Sequence, residues 1–195
     1  MSERGLTRRQ LLAAAVGLTA TAHAASAAAP TPPTGWVRPP ESAPAMALTD
    51  ATGQPRLLGA WLRQRVTAVQ TIFTGCSATC PTQGLLFSTL AQRGQVAGVR
   101  WLSLSIDPLG DDAAALAAWQ RRIGGHRDWQ AAVPGVNDSD ALLAYLRGVP
   151  AKAASHTTQV FVFDRAGRLV YRTGDNPPIH FVEALVARVA GSGDA

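Results

Sequence analysis

The sequence predicts an α/β sandwich, and three observations predict it. Short apolar runs rich in β-branched residues, at 65–73, 99–106 and 157–163, alternate with amphipathic stretches of helical period. Those stretches are punctuated as helices are, with proline or acidic residues at the start and arginine and glycine at the end. The chain closes on a strand, a turn, a second strand and a helix.

Taken in order, residues 1–27 read as an export signal. Arg4, Arg8 and Arg9 form a basic head, Leu11 to Ala22 an apolar stretch, and "AHA" and "ASA" offer cleavage after Ala24 or Ala27. "TRRQLL" is similar to a twin-arginine signal, with Leu11 where phenylalanine is commoner. A spanning helix needs about 20 strongly apolar residues, and this stretch is shorter and alanine-rich. The destination is a periplasm or cell exterior, an oxidising compartment; the alternative is a membrane anchor left uncleaved. Residues 28–44 are rich in proline and alanine and read as a tether.

The domain is expected from 45 to 195. "AMALTDATGQPRLL" is an N-terminal β-hairpin with its turn at Asp50–Gly53. "RVTAVQTIF" is a buried strand. "CPTQGLLFSTLAQRG" is a helix with Pro81 in its first turn and Leu85, Leu86 and Leu90 on one face. "VRWLSLSI" is a second core strand, and "DDAAALAAWQRRIG" a helix. A short strand is expected near Trp129–Val133. "NDSDALLAYLRG" is a helix capped by Asn137 or Asp138. "TTQVFVFDRAGRLVYR" is a hairpin turning at Asp164–Gly167, and "NPPIHFVEALVARVAG" the closing helix. A cysteine-bearing helix after the first long strand, with a final hairpin and helix, resembles the thioredoxin-like pattern.

With 195 residues and 47% of them apolar, one domain with a real core is expected and a disordered chain excluded. The net charge of +5 shrinks once the signal is removed, leaving 15 basic and 12 acidic residues. The remaining arginines are scattered apart from Arg121 and Arg122, so no phosphate-binding face is expected.

The chain has two cysteines, both in "TGCSATCP". Cys76 and Cys80 stand four apart, a spacing that shares one helix face. At a helix start, free N–H groups and the positive end of the dipole favour thiolates. Such a pair exchanges with disulfides or grips a soft metal ion. As a mere staple it would constrain the unfolded chain little, by about 2–3 kcal/mol at most. The spacing is not the C-x-x-C of thioredoxins, and two cysteines do not make a structural zinc site. Cu(I) is satisfied by two thiolates and one imidazole.

Four histidines compete for the third place. His23 belongs to the signal, His126 reads as an exposed loop residue, and His180 sits in the first turn of the closing helix. His156 stands just before an apolar strand. In a thioredoxin-like arrangement that loop abuts the start of the cysteine helix.

With these residues in place, the chain resembles the Sco/SenC copper chaperones, thioredoxin-like proteins tied to cytochrome c oxidase assembly. The resemblance spans roughly 45–174 and rests on "FTGCSATCPTQ", "LSLSIDP" and "SHTTQVFVFDRAGRLV" in that order. It implies copper ligation, as Cu(I) and also Cu(II), by Cys76, Cys80 and His156. It implies delivery to the binuclear copper centre of the oxidase's copper-bearing subunit, with a copper donor or thiol reductant protein as further partners. The second reading is an enzyme: a thiol–disulfide oxidoreductase using Cys76 and Cys80 to reduce the target's cysteines. A buffer or sensor of copper without a dedicated acceptor is a third. A thiol peroxidase does not fit, because "AVQTIFTG" before Cys76 lacks the proline its motif needs. The chain departs from the family pattern in four places. Ser155 stands where an aspartate usually precedes the histidine, Thr157 replaces a serine, Asp112-Ala113 stands where the family often has Asp-Thr, and a cleavable signal replaces an anchor. Asp107 either caps the turn after its strand or supports the metal loop.

Overall fold

The computed structural model describes residues 31–150 and 156–192. The signal at 1–27, its cleavage site and Ser155 therefore lie outside the described residues. The elements are β1 (Gly35–Ser42), β2 (Ala47–Asp50), β3 (Pro55–Leu57), α1 (Leu58–Leu62), β4 (Thr67–Ile72), α2 (Cys80–Arg93), β5 (Arg100–Ser105), α3 (Ala113–Ile123), β6 (Trp129–Pro134), α4 (Ser139–Arg147), β7 (Val160–Phe163), β8 (Arg168–Arg172) and α5 (Ile179–Gly191). No helix among the described residues is long and apolar enough to cross a membrane.

One eight-stranded sheet runs in the order β1-β8-β7-β4-β5-β6-β2-β3. The three parallel strands β4, β5 and β6 form its centre, and β7 lies antiparallel to β4. All six residues of β4 are buried, as a strand covered on both faces requires. Alternation then divides the core. Ala68, Ile72, Val160 and Val162 pack with Phe87, Trp119 and Val182 from α2, α3 and α5. Val69, Phe161 and Phe163 pack with Trp61 and Leu142 from α1 and α4 on the opposite face. This is the α/β arrangement expected, with the β2–β3 hairpin turning at Asp50–Gly53: the Gly53 N–H donates to the Asp50 carbonyl at 2.9 Å.

The structure differs from the sequence expectations in four places. Residues 35–42, read as part of the tether, form β1 and pair with β8 along the sheet edge. Their prolines are tolerated because an edge strand needs ladder donors on one side only. Residues 58–62 continue the hairpin as the short helix α1, whose Trp61 and Leu62 are core. On α2, Leu90 is buried but Leu85 is 55% exposed. The buried face is made instead by Gln83, Gly84, Phe87, Ser88 and Ala91. Asp138 takes the N-cap position of α4 but makes no side-chain capping bond.

The topology gathers four connecting segments at one end of the sheet. β4 and β5 run parallel and end there, at Ile72 and Ser105. β7 runs the other way, so it begins there, and β8 ends there, with the Thr173 N–H donating to the Val160 carbonyl at 3.0 Å. The loop after β4, the loop after β5, the segment before β7 and the turn after β8 therefore meet.

Candidate metal and thiol site

Cys76 sits in the loop after β4, in a turn closed by its N–H donating to the Phe73 carbonyl at 3.1 Å. α2 begins at Cys80, with no side chain capping its first turn. The Cys76 sulfur takes that role, accepting the Cys80 N–H at 3.5 Å, with the Thr79 hydroxyl 3.9 Å away. Burial alone would raise the Cys76 thiol pKa, but backbone donors from Cys80, Ala78 and Thr79 outweigh it and hold the thiol down at about 7. Cys80 has the opposite setting. It is fully buried in the core, and burial, reinforced by the neighbouring Cys76, pushes it up to about 12. Both cysteines are free thiols. One is an accessible, readily ionised sulfur, and the other a sheltered thiol directly behind it.

His156 enters from the segment before β7. Its Nε2 stands 3.9 Å from Cys80 Sγ, although the residues are 76 apart in the chain. Its ring packs edge-on against Phe73, with centroids 5.6 Å apart and planes at 82°. Burial lowers the imidazole pKa and keeps the ring neutral, the form in which a ring nitrogen ligates metal. A hydrogen bond to the Thr71 backbone and the nearby Asp175 carboxylate work the other way, favouring a basic ring. The 3.9 Å separation suits a chelate. Bonds of about 2.3 Å to sulfur and 2.1 Å to imidazole, opened to about 120°, put the two donor atoms about 3.8 Å apart. Among the described residues no group of three His, Cys, Asp or Glu side chains is already gathered as a metal cage. What the fold gathers is a Cys80–His156 pair, with Cys76 on the adjoining N–H.

Of the other candidates, His126 is half-buried and accepts the Asp128 N–H at 3.2 Å, a local loop contact. His180 is exposed on α5. Asp107 proves to be a turn cap: its Oδ1 accepts the Gly110 N–H at 3.0 Å.

Two carboxylates that sequence reasoning did not select hold the site. Asp111 is 5% exposed and accepts from the Thr74 N–H at 3.0 Å, the Thr74 hydroxyl at 2.5 Å and the Ser105 hydroxyl at 2.6 Å. It fastens the cysteine loop to the end of β5. Asp175 accepts from the Thr157 hydroxyl, the Thr158 N–H and the Thr158 hydroxyl, each at 2.8 Å. It fastens the segment next to His156 to the turn after β8. Asp111 follows an Asp-Pro turn and Asp175 precedes Asn-Pro-Pro, so both read as ordinary turn residues in the sequence.

With that geometry in hand, a sequence model of the SCO1/SenC family matches residues 39–190. The chain belongs to the SCO1/SenC family. No curated protein matches the sequence. Among solved structures, a SCO1/SenC family lipoprotein from Bacillus anthracis str. Ames superposes with a TM-score of 0.66 at 20% identity, covering 79% of this chain and 99% of that one. Yeast Sco1 with copper bound gives 0.63 at 17% identity, covering 80% and 96%. BsSco, described with a disulfide switch and as a member of the Sco family of cytochrome c oxidase assembly proteins, gives 0.65 at 16% identity, covering 80% and 96%. At these identities the likeness establishes the SCO1/SenC domain as the thioredoxin-like fold, in agreement with the sequence expectation.

Proposed function

We propose that this SCO1/SenC chain is an exported copper carrier. Cys76, Cys80 and His156 bind one copper ion and pass it to the binuclear copper centre of cytochrome c oxidase during its assembly. The observation that carries the reading is the approach of His156 Nε2 to Cys80 Sγ, with the Cys76 sulfur held on the Cys80 N–H. Two sulfurs and a neutral imidazole are a soft donor set of the kind Cu(I) selects. The copper found in yeast Sco1 and the family description attached to BsSco support both cargo and destination. The periplasm is the compartment this requires, reached by a twin-arginine-type signal.

The chemistry follows from the unlike thiols. Cys76 faces solvent with a thiol ionised near neutral pH, so it meets incoming copper first. Cys80 arrives protonated and releases its proton as the ion seats. Departure reverses the order: a thiolate of the acceptor displaces Cys76, the outermost donor, while Cys80 and His156 retain the ion until exchange is complete.

Anaerobic Cu(I) titration of residues 28–195 tests this. One ion per protein is expected, with affinity weakened in His156→Ala and lost when either cysteine is replaced. Absence of one-to-one uptake, or uptake unchanged in His156→Ala, refutes it.

The asymmetry of the thiols also supports a second reading, thiol–disulfide exchange on the cysteines of the copper-site target, to which the disulfide switch of BsSco lends weight. That role needs no His156. A Cys76–Cys80 reduction potential too low for any periplasmic donor would exclude it.

A further inference from the structure

Residues 157–159, directly after His156, belong to no strand, and β7 begins at Val160. Thr157, Thr158 and Gln159 are nonetheless buried. Buried main-chain groups outside a ladder need partners elsewhere. The Thr157 carbonyl accepts from the Thr71 hydroxyl of β4 at 3.1 Å. The Thr158 N–H donates to Asp175 Oδ1 at 2.8 Å. That same oxygen accepts the Thr157 and Thr158 hydroxyls, also at 2.8 Å each. The Asn176 N–H closes the contact by donating to the Thr158 hydroxyl oxygen at 2.9 Å.

Three donors on one oxygen suit an ionised carboxylate. A neutral amide oxygen has two lone pairs and leaves one donor wanting. Asp175 is held ionised accordingly. Burial raises its pKa, but the bonds from Thr157 and Thr158 outweigh burial, and the Arg147 guanidinium at the end of α4 adds to them. The His156 ring takes its place from Phe73 and from the Thr71 backbone, both on β4 or just beyond it. It therefore stays beside Cys80 as long as its segment stays against the sheet. Asp175 secures that segment from the turn after β8, whereas Asp111 secures the cysteine loop from the end of β5. The two halves of the site are tied down by different carboxylates.

We propose that Asp175 is a positioning residue for copper binding: it acts through His156, fixing the imidazole beside Cys80, and leaves the cysteine half of the site to Asp111. The inference rests on the reading that His156 ligates copper. It gives the turn after β8 a share in copper affinity without making Asp175 a ligand.

The test is a double-mutant cycle on the exported form, residues 28–195. Cu(I) affinity is read by competition with a coloured Cu(I) chelator, bathocuproine disulfonate. Loss of a residue that orients a ligand costs about 10–100-fold in metal affinity, so Asp175→Ala lowers affinity at least about tenfold. Asp175→Asn, which keeps Oδ1, lowers it less. Placed in His156→Ala, neither substitution lowers affinity further, because the residue it acts through is gone. Unchanged affinity in Asp175→Ala, or an equal loss with and without His156, overturns the proposal. Alkylation of Cys76 by iodoacetamide keeps its wild-type midpoint in both Asp175 variants. A shifted midpoint would show that the cysteine half moves too, and would overturn the division between the carboxylates.

A copper-free readout separates this proposal from the carrier reading. Residues 28–195 hold three histidines, and His156→Ala identifies the ring signals of His156 in a proton NMR spectrum. Edge-on packing against Phe73 displaces those signals, and Asp175→Ala moves them toward the position of an exposed imidazole. Signals unmoved in Asp175→Ala overturn the positioning role whether or not copper binds. A wild type that takes up no copper, with signals that do move, refutes the carrier reading and leaves the anchoring of His156 standing.

Discussion

Asp111→Asn tests whether the cysteine loop is held by a buried carboxylate. In the wild type one carboxylate oxygen accepts from the Thr74 hydroxyl, the other from Ser105, and both lie near the Thr74 N–H. An asparagine keeps the shape but has one acceptor oxygen. If that oxygen faces Thr74, the amide nitrogen meets the Ser105 hydroxyl, which already accepts the Asp107 N–H at 3.1 Å. At least one charge-assisted bond is lost, and a buried hydroxyl must find a new acceptor. Hydrogen bonds to charged groups contribute about 1.5–3 kcal/mol, so a loss of about 2 kcal/mol is expected. With a urea slope of about 2 kcal/mol/M, the midpoint falls by about 1 M at unchanged slope. The assay is urea unfolding of reduced residues 28–195, followed by tryptophan fluorescence. Copper affinity falls in the same variant, because Thr74 lies two residues from Cys76. A midpoint within about 0.2 M of wild type would refute the reasoning, since the bonds would then contribute nothing measurable.

Three more outcomes follow from the same geometry. Alkylation of Cys76 by iodoacetamide should titrate with a midpoint near 7, while Cys80 stays unreactive at neutral pH unless the protein is unfolded; equal rates for both thiols would contradict the assigned environments. Gly84→Ala should destabilise the fold despite alanine's better helix propensity, because its Cβ would lie 2.9 Å from the Trp119 ring and 2.6 Å from Ile123 Cδ1. Overpacking of this kind costs about 1–3 kcal/mol against a propensity gain of about 1, so a stabilised variant would show that α2 and α3 are less closely packed. For pH dependence, the folded state depresses the His156 pKa, so the unfolded chain binds that proton first and stability falls as pH drops through 6.5. His156→Ala should flatten the loss between pH 7.5 and 5. The Asp175 pKa is also depressed, against the pull of burial, by bonds from Thr157 and Thr158, so its contribution is present above 3.8 and disappears in more acidic solution. A wild type that gains stability relative to His156→Ala on acidification would reverse the sign and defeat the assignment.

By itself the sequence determined the α/β class, the elements from β4 onward and the helix starting at Cys80, and it singled out His156, the histidine that the fold brings to Cys80. These are matters of local period, turn chemistry and topology, which a chain carries within stretches of a dozen residues. Tertiary structure decided how those parts act on one another. Nothing local reveals that the Cys76 sulfur caps α2, that Asp111 reaches Thr74 across 37 residues, or that Asp175 steadies the segment beside His156 across 18. β1 escaped the sequence reading because prolines mask a strand whose partner among the described residues, β8, lies far along the chain. Leu85 shares a predicted helix face with Leu90 yet lies in solvent, because helical period gives the apolar stripe but not its angle to the sheet. The depth of each thiol, and hence its acidity, is likewise a property of what surrounds it once the chain has closed.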